Sequence, residues 1–218
     1  EVFGLAPAII RSPLTFGPFP TDMRVFYDAG INRFFILQRV HDRDTFGNDL
    51  SLSHMYLAVS QTGDPTGSYN VYVADTTDVS NPLCPCLADY PQIGADQYGF
   101  YISVDEYDTQ VQSFVGAVIY AISKSSLAAG AATPIAYKFP LPFLSGYEFA
   151  VQPATTPPGA SYFIASGGIE YFASTVGSFS SGNSVSIWAM TNTSSLATGS
   201  PAPQLMRISV PTLTYVWP

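Results

Sequence analysis

Apolar positions in this chain come in short runs, and polar turn residues separate the runs at near-regular intervals. From Asp22 the sequence reads D-M-R-V-F-Y-D-A-G-I-N-R-F-F-I-L-Q-R-V. One run ends on Asp28-Ala29-Gly30 and a second begins at Arg33. After a polar insert from His41 to Ser53, a third run covers Met55 to Ser60. The turn Gly63-Asp64-Pro65-Thr66-Gly67 leads into a fourth, Tyr69 to Ala74. Short runs rich in β-branched and aromatic residues and bounded by turn residues are strands. Four of them in roughly fifty residues have the size of one propeller blade.

The pattern then repeats. D-Y-P-Q-I-G-A-D-Q-Y-G-F-Y-I-S-V from Asp89 echoes the stretch from Asp22: an apolar run ends on an aspartate (Asp28, Asp96), a glycine follows (Gly30, Gly99), then an aromatic pair. Asp and Gly at those places predict tight hairpins with positive φ. Gly116 to Ser123 and Ile135 to Phe139 complete a second unit, with one helical turn expected over Lys124 to Ala129. In a third unit, V-S-I-W-A-M-T-N-T-S-S-L-A matches V-I-Y-A-I-S-K-S-S-L-A of the second. Its strands are expected at Phe149 to Pro153, Tyr162 to Ser166, Ser184 to Thr191 and Leu205 to Val210. The reading is therefore all-β: a propeller-like array of four-stranded antiparallel blades at 22–78, 89–140 and 148–211, with a C-terminal extension. Residues 1–21, broken by Pro7, Pro13, Pro18 and Pro20, read as an extended segment with one strand at Val2 to Leu5. A β-sandwich of similar strand content needs no such period. Known propellers have about four to eight blades, so three units are expected to be an incomplete part of a larger propeller.

Composition narrows the function. Hydrophobic residues make up 47% and charged residues 11%, against the high charge of disordered chains. Net charge is -8, and eight Lys and Arg spread over the chain do not supply the basic footprint of a nucleic-acid binder. No apolar run approaches the roughly 20 residues of a membrane-spanning helix. The chain begins at Glu1 without an initiator Met, which reads as a processed or fragmentary N-terminus. Few charges with many Ser, Thr, Gly, Asn and Tyr lead to the expectation of an extracellular or cell-surface protein.

D-M-R-V-F-Y-D-A-G-I-N-R-F-F, A-V-S-Q-T-G-D-P-T-G-S-Y-N-V-Y, C-P-C-L-A-D-Y-P-Q-I-G-A-D-Q-Y-G-F-Y-I-S and F-V-G-A-V-I-Y-A-I-S-K-S-S-L stand in order between Asp22 and Gly130. Together they resemble a family of secreted bacterial β-propeller-like proteins. Asp105-Glu106-Tyr107 stands where Asn-Glu-Phe is more usual in that family. The resemblance implies a propeller longer than this chain; no activity is assigned to the family, so no catalytic residue carries over.

Candidate chemistry is sparse. Cys84-Pro85-Cys86 leads to a disulfide, local or to a partner, since metal ligation would need further thiolates or histidines and the only histidines are His41 and His54. Asp42, Asp44 and Asp49 alternate around Gly47 in partial likeness to a calcium loop, with Phe46 at a ligand position and Ser53 in place of the closing Glu. Asp105, Glu106 and Asp108 form a second acidic cluster that a cation would relieve. Calcium is thus the one cofactor considered. Glycoside hydrolysis needs two carboxylates flanking the scissile bond; Asp22 as base, with Asp89 and Glu106 or Glu148 as partners, is the set on offer. No G-x-S-x-G elbow and no phosphate-binding G-x-x-x-x-G-K-[ST] loop occurs. The expected function is a binding or assembly module for a protein or glycan ligand, with other chains supplying the missing blades, and a propeller glycoside hydrolase as the alternative.

Overall fold

The computed structural model describes residues 2–110, 113–141, 147–155, 167–178, 181–199 and 202–216. Among these the regular structure is β-strand apart from one short α-helix and one 3₁₀ turn. Two compact units divide it: 1–91 with 106–115, and 92–105 with 116–218.

The first unit opens on a small hairpin, β1 (Ile9–Arg11) with β2 (Leu14–Phe16). No strand forms at Val2 to Leu5, because Gly4 takes a left-handed φ of 63° that breaks the extended course. A four-stranded antiparallel sheet follows in the order β3 (Phe19–Asp28), β4 (Arg33–Arg43), β5 (Asp49–Ser60), β6 (Tyr69–Asp75). The polar insert is the far end of the β4–β5 hairpin. Strand pairing continues through it to Arg43 and Asp49. Arg43 holds it there: the guanidinium lies 4.6 Å from the Phe19 ring and donates to the carbonyls of Ala8 and Gly17. The Gly63–Gly67 turn is closed from within, since Asp64 Oδ1 accepts from the N–H and hydroxyl of Thr66.

A second sheet has the order β7 (Cys86–Ala95), β8 (Gly99–Asp108), β9 (Phe114–Ser123), β10 (Ala136–Pro140). A short helix, α1 (Lys124–Ala128), follows β9 and is capped by the Ser123 hydroxyl. The third sheet runs β11 (Tyr147–Pro153), β12 (Ile169–Gly177), β13 (Ser181–Thr191), β14 (Gln204–Val216). A 3₁₀ turn over Thr193–Ala197 follows β13, as α1 follows β9, so the shared S-S-L-A motif folds alike in both places. The strand expected at Tyr162 to Ser166 lies outside the described residues; the second strand of this sheet is β12.

Two of the first strands carry a β-bulge. Thr21 faces Arg39 while Arg24 faces Leu37, and Phe149 faces Thr175 while Gln152 faces Ala173. The extra residue takes a left-handed φ: Asp22 at 50° and Ala150 at 49°. On β7, Tyr90 has the same conformation at 48°. The structural repeat therefore aligns Asp22 with Tyr90, one residue beyond Asp89. The Asp28 and Asp96 hairpins also differ from expectation, because neither Gly30 nor Gly99 has positive φ. Asp28 instead accepts from the N–H groups of Gly30 and Ile31, and Asp96 from those of Tyr98 and Gly99. Gly99 is small because a Cβ there would run into the Tyr101 hydroxyl and Leu196.

Burial separates the two faces of the first and third sheets. In the first, Phe35, Leu37, Leu57 and Val59 are buried. The registered neighbours Val25, Ile36, Ala58 and Val71 belong to the opposite face, with Tyr27, Phe34 and Val73. Val25 is 59% and Val73 56% exposed. In the third sheet, Phe172, Trp188 and Met190 are buried with Tyr101, Ile119, Val151 and Leu196 in the core of the second unit. The Tyr101 and Phe172 rings meet edge to face at 5.5 Å. The opposite face carries Tyr171, Ala173, Val185, Ile187, Met206, Ile208 and Val210, with Ile208 63% exposed. Each of these sheets thus has one covered apolar face and one apolar face accessible at its edge strands, Ala58 at the centre of the first being buried.

Candidate functional site

The most polar convergence in the first unit is built around Arg39. It sits on β4 opposite Thr21, and its side chain is buried. One terminal nitrogen, Nη1, donates to Thr21 Oγ1 at 2.8 Å and to Asp22 Oδ2 at 2.9 Å, and lies 3.1 Å from Asp89 Oδ1. The bulge makes this arrangement: the left-handed turn at Asp22 offers its carboxylate beside Thr21 instead of on the other face of β3. Two of the four carboxylates considered for hydrolysis, Asp22 and Asp89, therefore meet at one guanidinium nitrogen. Glu106 lies elsewhere in the unit, buried beside Cys84 and Cys86.

Arg39 Nη2 also bonds to Nε2 of His41. A guanidinium only donates, so Nε2 accepts and Nδ1 carries the proton. That proton lies towards Asp49 Oδ2, 3.7 Å away. Burial first, and then the Arg39 charge, lower the His41 pKa below its ordinary 6.5, against the weaker opposing pull of Asp49, Asp89 and Asp22. The unfolded chain takes up the proton near 6.5, the folded chain only at lower pH. Below 6.5 the unfolded state binds more protons, so stability is expected to fall as pH drops through the window beneath it. A His41→Gln variant should flatten that part of the melting-temperature profile; an unchanged slope would remove His41 as its source.

Asp49 leads on to an open cleft of about 290 Å³ lined by Asp49, Leu87, Tyr107, Asp108 and Thr109. Thr109 fixes its rim by donating both its N–H and its hydroxyl to the Pro85 carbonyl, each at 3.0 Å. The lining joins two carboxylates, a hydroxyl and an aromatic ring, a set that suits hydroxyl-rich or cationic ligands.

The residues singled out for calcium are not gathered into a shell. Asp42 pairs with His54 at 3.3 Å, Asp44 accepts from Asn48 and from the N–H of Phe46, and Asp49 accepts from Ser51 N–H at 2.6 Å. Successive residues of β8 face opposite ways, which parts Asp105 from Glu106. Asp105 accepts from the bulge N–H of Ala150 at 3.2 Å, and Asp108 from Gln110 N–H at 2.6 Å. Among the described residues, the group of three potential ligands whose atoms lie within 4.8 Å of one another is Cys84, Cys86 and Glu106. The two cysteines form a disulfide with each other, with Cα atoms 4.5 Å apart.

In the second unit Glu148 is the centre of a buried network. Ser186 Oγ donates to it at 2.8 Å, Arg207 Nη2 lies at 2.7 Å, and Ser174 donates to its other oxygen. Trp188 Nε1 donates in turn to Ser174 Oγ, and Arg207 Nε to Ser186 Oγ. Glu148 is buried and only Arg207 keeps a small exposed edge, so the network holds β11 to β12, β13 and β14. A second buried set joins Asp96, Lys124, Tyr101 and Thr193: the Thr193 hydroxyl donates to Asp96 Oδ2, and the Lys124 ammonium to the Asp96 carbonyl. Burial, followed by the charges of Asp96 and Glu170, raises the Tyr101 pKa well above the ordinary phenol. Sequence reasoning missed Arg39, Arg207 and Lys124 as organisers, although few Lys and Arg in an apolar chain are each candidates for paired burial.

Comparison of the chain with known protein families, with curated proteins and with solved structures gave no match. No helix among the described residues is long and apolar enough to cross a membrane.

Proposed function

We propose that this chain is a propeller-type binding and assembly module, each of its sheets standing as one blade. The observation that carries the reading is the pair of accessible apolar faces, one on the first sheet (Val25, Ile36, Val71, Val73) and one on the third (Ile187, Met206, Ile208, Val210). Contiguous apolar surface of this kind marks an interaction site. The third sheet's other face supplies the fitting occupant, since it is covered by strands of the second sheet with the same aliphatic and aromatic make-up. The occupant proposed is therefore another sheet of this kind, provided by a second copy of the chain. Pairing a first-sheet face with a third-sheet face is heterologous, so assembly closes a ring or grows further. The polar cleft at Asp49, Tyr107 and Asp108 would then be the recognition surface.

Light scattering coupled to gel filtration tests the reading. The wild type is expected to rise above 23.4 kDa with concentration, and the double variant Met206→Glu, Ile208→Glu to remain at the monomer mass. A wild type that stays at 23.4 kDa throughout would falsify it.

One observation favours a second reading. Asp22 and Asp89 sharing Arg39 Nη1 stand close enough for the separation of roughly 5–10 Å that glycoside hydrolases use. Turnover in a carbohydrate hydrolysis screen, abolished by Asp22→Asn with the melting temperature kept, would replace the non-enzymatic reading with this one.

A further inference from the structure

We infer that the Cys84-Pro85-Cys86 loop and Glu106 form a redox-gated site for a thiophilic divalent cation of the zinc and cadmium kind, shut by the disulfide and opened by its reduction. The three potential ligand atoms, two sulfurs and a carboxylate oxygen, lie within 4.8 Å of one another. Zinc binds thiolates at about 2.3 Å and carboxylates at about 2.0–2.2 Å, so two ligands on one ion stand roughly 3.5–4 Å apart. The cluster is thus near coordinating size, and opening the S–S bond lets the sulfurs move to that spacing.

The loop does not depend on its disulfide for position. Cys84 N–H donates to the Asn81 carbonyl at 3.0 Å and Cys86 N–H to the Thr77 carbonyl at 2.8 Å. The Pro85 carbonyl receives both bonds from Thr109. None of these involves sulfur, so the backbone that aims both side chains persists on reduction. Cys86 and Glu106 are buried while Cys84 is partly accessible, which provides an entry path at one ligand and shields the other two. Two thiolates and one carboxylate supply three negative ligands to a divalent cation, one charge more than neutrality, and leave one position for water, as in open zinc sites with three protein ligands. Oxygen-seeking cations such as calcium prefer six to eight oxygens and are not served by this set.

A trialkylphosphine attacks one sulfur, the S–S bond breaks, and water supplies the oxygen of the phosphine oxide and the protons of two thiols. Binding of the cation then releases the two thiol protons to solvent.

The test uses the whole chain with and without phosphine, titrated with Cd²⁺ while the sulfur-to-metal charge-transfer absorption is followed. One equivalent is expected to bind after reduction, with no band before it. Cys86→Ser should abolish the band, and Glu106→Gln should weaken affinity by roughly tenfold or more, by comparison with the 10–100-fold losses seen when even supporting residues of metal sites are changed. Because Glu106 is buried and its variant can misfold, a second measurement uses the wild type alone. Zn²⁺ should slow iodoacetamide alkylation of the reduced thiols, and a chelator should restore the rate. Absence of a band after reduction, equal affinity in a folded Glu106→Gln variant, or alkylation indifferent to Zn²⁺ would each overturn the site.

Discussion

Glu148→Ala is expected to lower the unfolding free energy by about 3–5 kcal/mol, the cost of removing one partner from a buried ion pair. Its carboxylate is 3% and the Arg207 side chain 13% exposed, so water does little to replace what is lost. The change strands the Arg207 guanidinium and takes the acceptor from the hydroxyls of Ser174 and Ser186. It reaches four strands at once, because Glu148 lies on β11, Ser174 on β12, Ser186 on β13 and Arg207 on β14. Glu148→Gln should be milder, since an amide oxygen still accepts from a serine. Adding Arg207→Met to Glu148→Ala should restore part of the loss, which a double-mutant cycle in urea would measure. A Glu148→Ala midpoint within error of wild type would show that the network contributes no net stability.

The second large effect separates two aspartates that the sequence presents as equals. Asp28 and Asp96 close corresponding hairpins, each through two backbone N–H groups. Asp96 has a further duty: its buried carboxylate also accepts from the hydroxyl of Thr193, 97 positions away. Hydrogen bonds to a charged group contribute about 1.5–3 kcal/mol each, and they are not additive. Asp96→Ala should therefore cost roughly 3 kcal/mol or more, against about 1 kcal/mol for Asp28→Ala as the loss of a turn cap. Paired denaturant melts read the difference; equal losses would mean that Thr193 adds nothing to Asp96.

Much of the fold was legible because period-2 alternation and turn residues mark hairpins directly. Asp28, Arg33, Ser60 and Tyr69 stand at strand ends where the pattern placed them. The second strand of the third sheet escapes the pattern, because I-E-Y-F-A-S-T-V carries apolar residues on both faces and a buried Glu170 near its start. Bulges also escape pattern reading: one inserted residue reverses the alternation, and Ala150 is not a type that announces positive φ. That is why the repeat was placed one residue out of phase. The Arg39 site was half visible. Asp22 and Asp89 stood out as acids opening their units, but nothing local connects Arg39 to residues 17 positions before it and 50 after it. The acidic run at Asp105 to Asp108 is divided by the pleat of β8, with Asp105 on one face and Glu106 and Asp108 on the other, which the linear sequence does not display.

The order of strands within the three larger sheets has a kinetic consequence. Each strand pairs with its immediate successor in the chain, from β3 through β6, β7 through β10 and β11 through β14. Every hairpin closes a short loop, so the entropy of bringing distant segments together is met only after local pairing has begun. Refolding should be faster than for a β-protein of this length with interleaved strands, and a sheet can be complete while residues after it are still being synthesised. During that interval the sheet's apolar residues are exposed, and the growing chain is at its most vulnerable to aggregation.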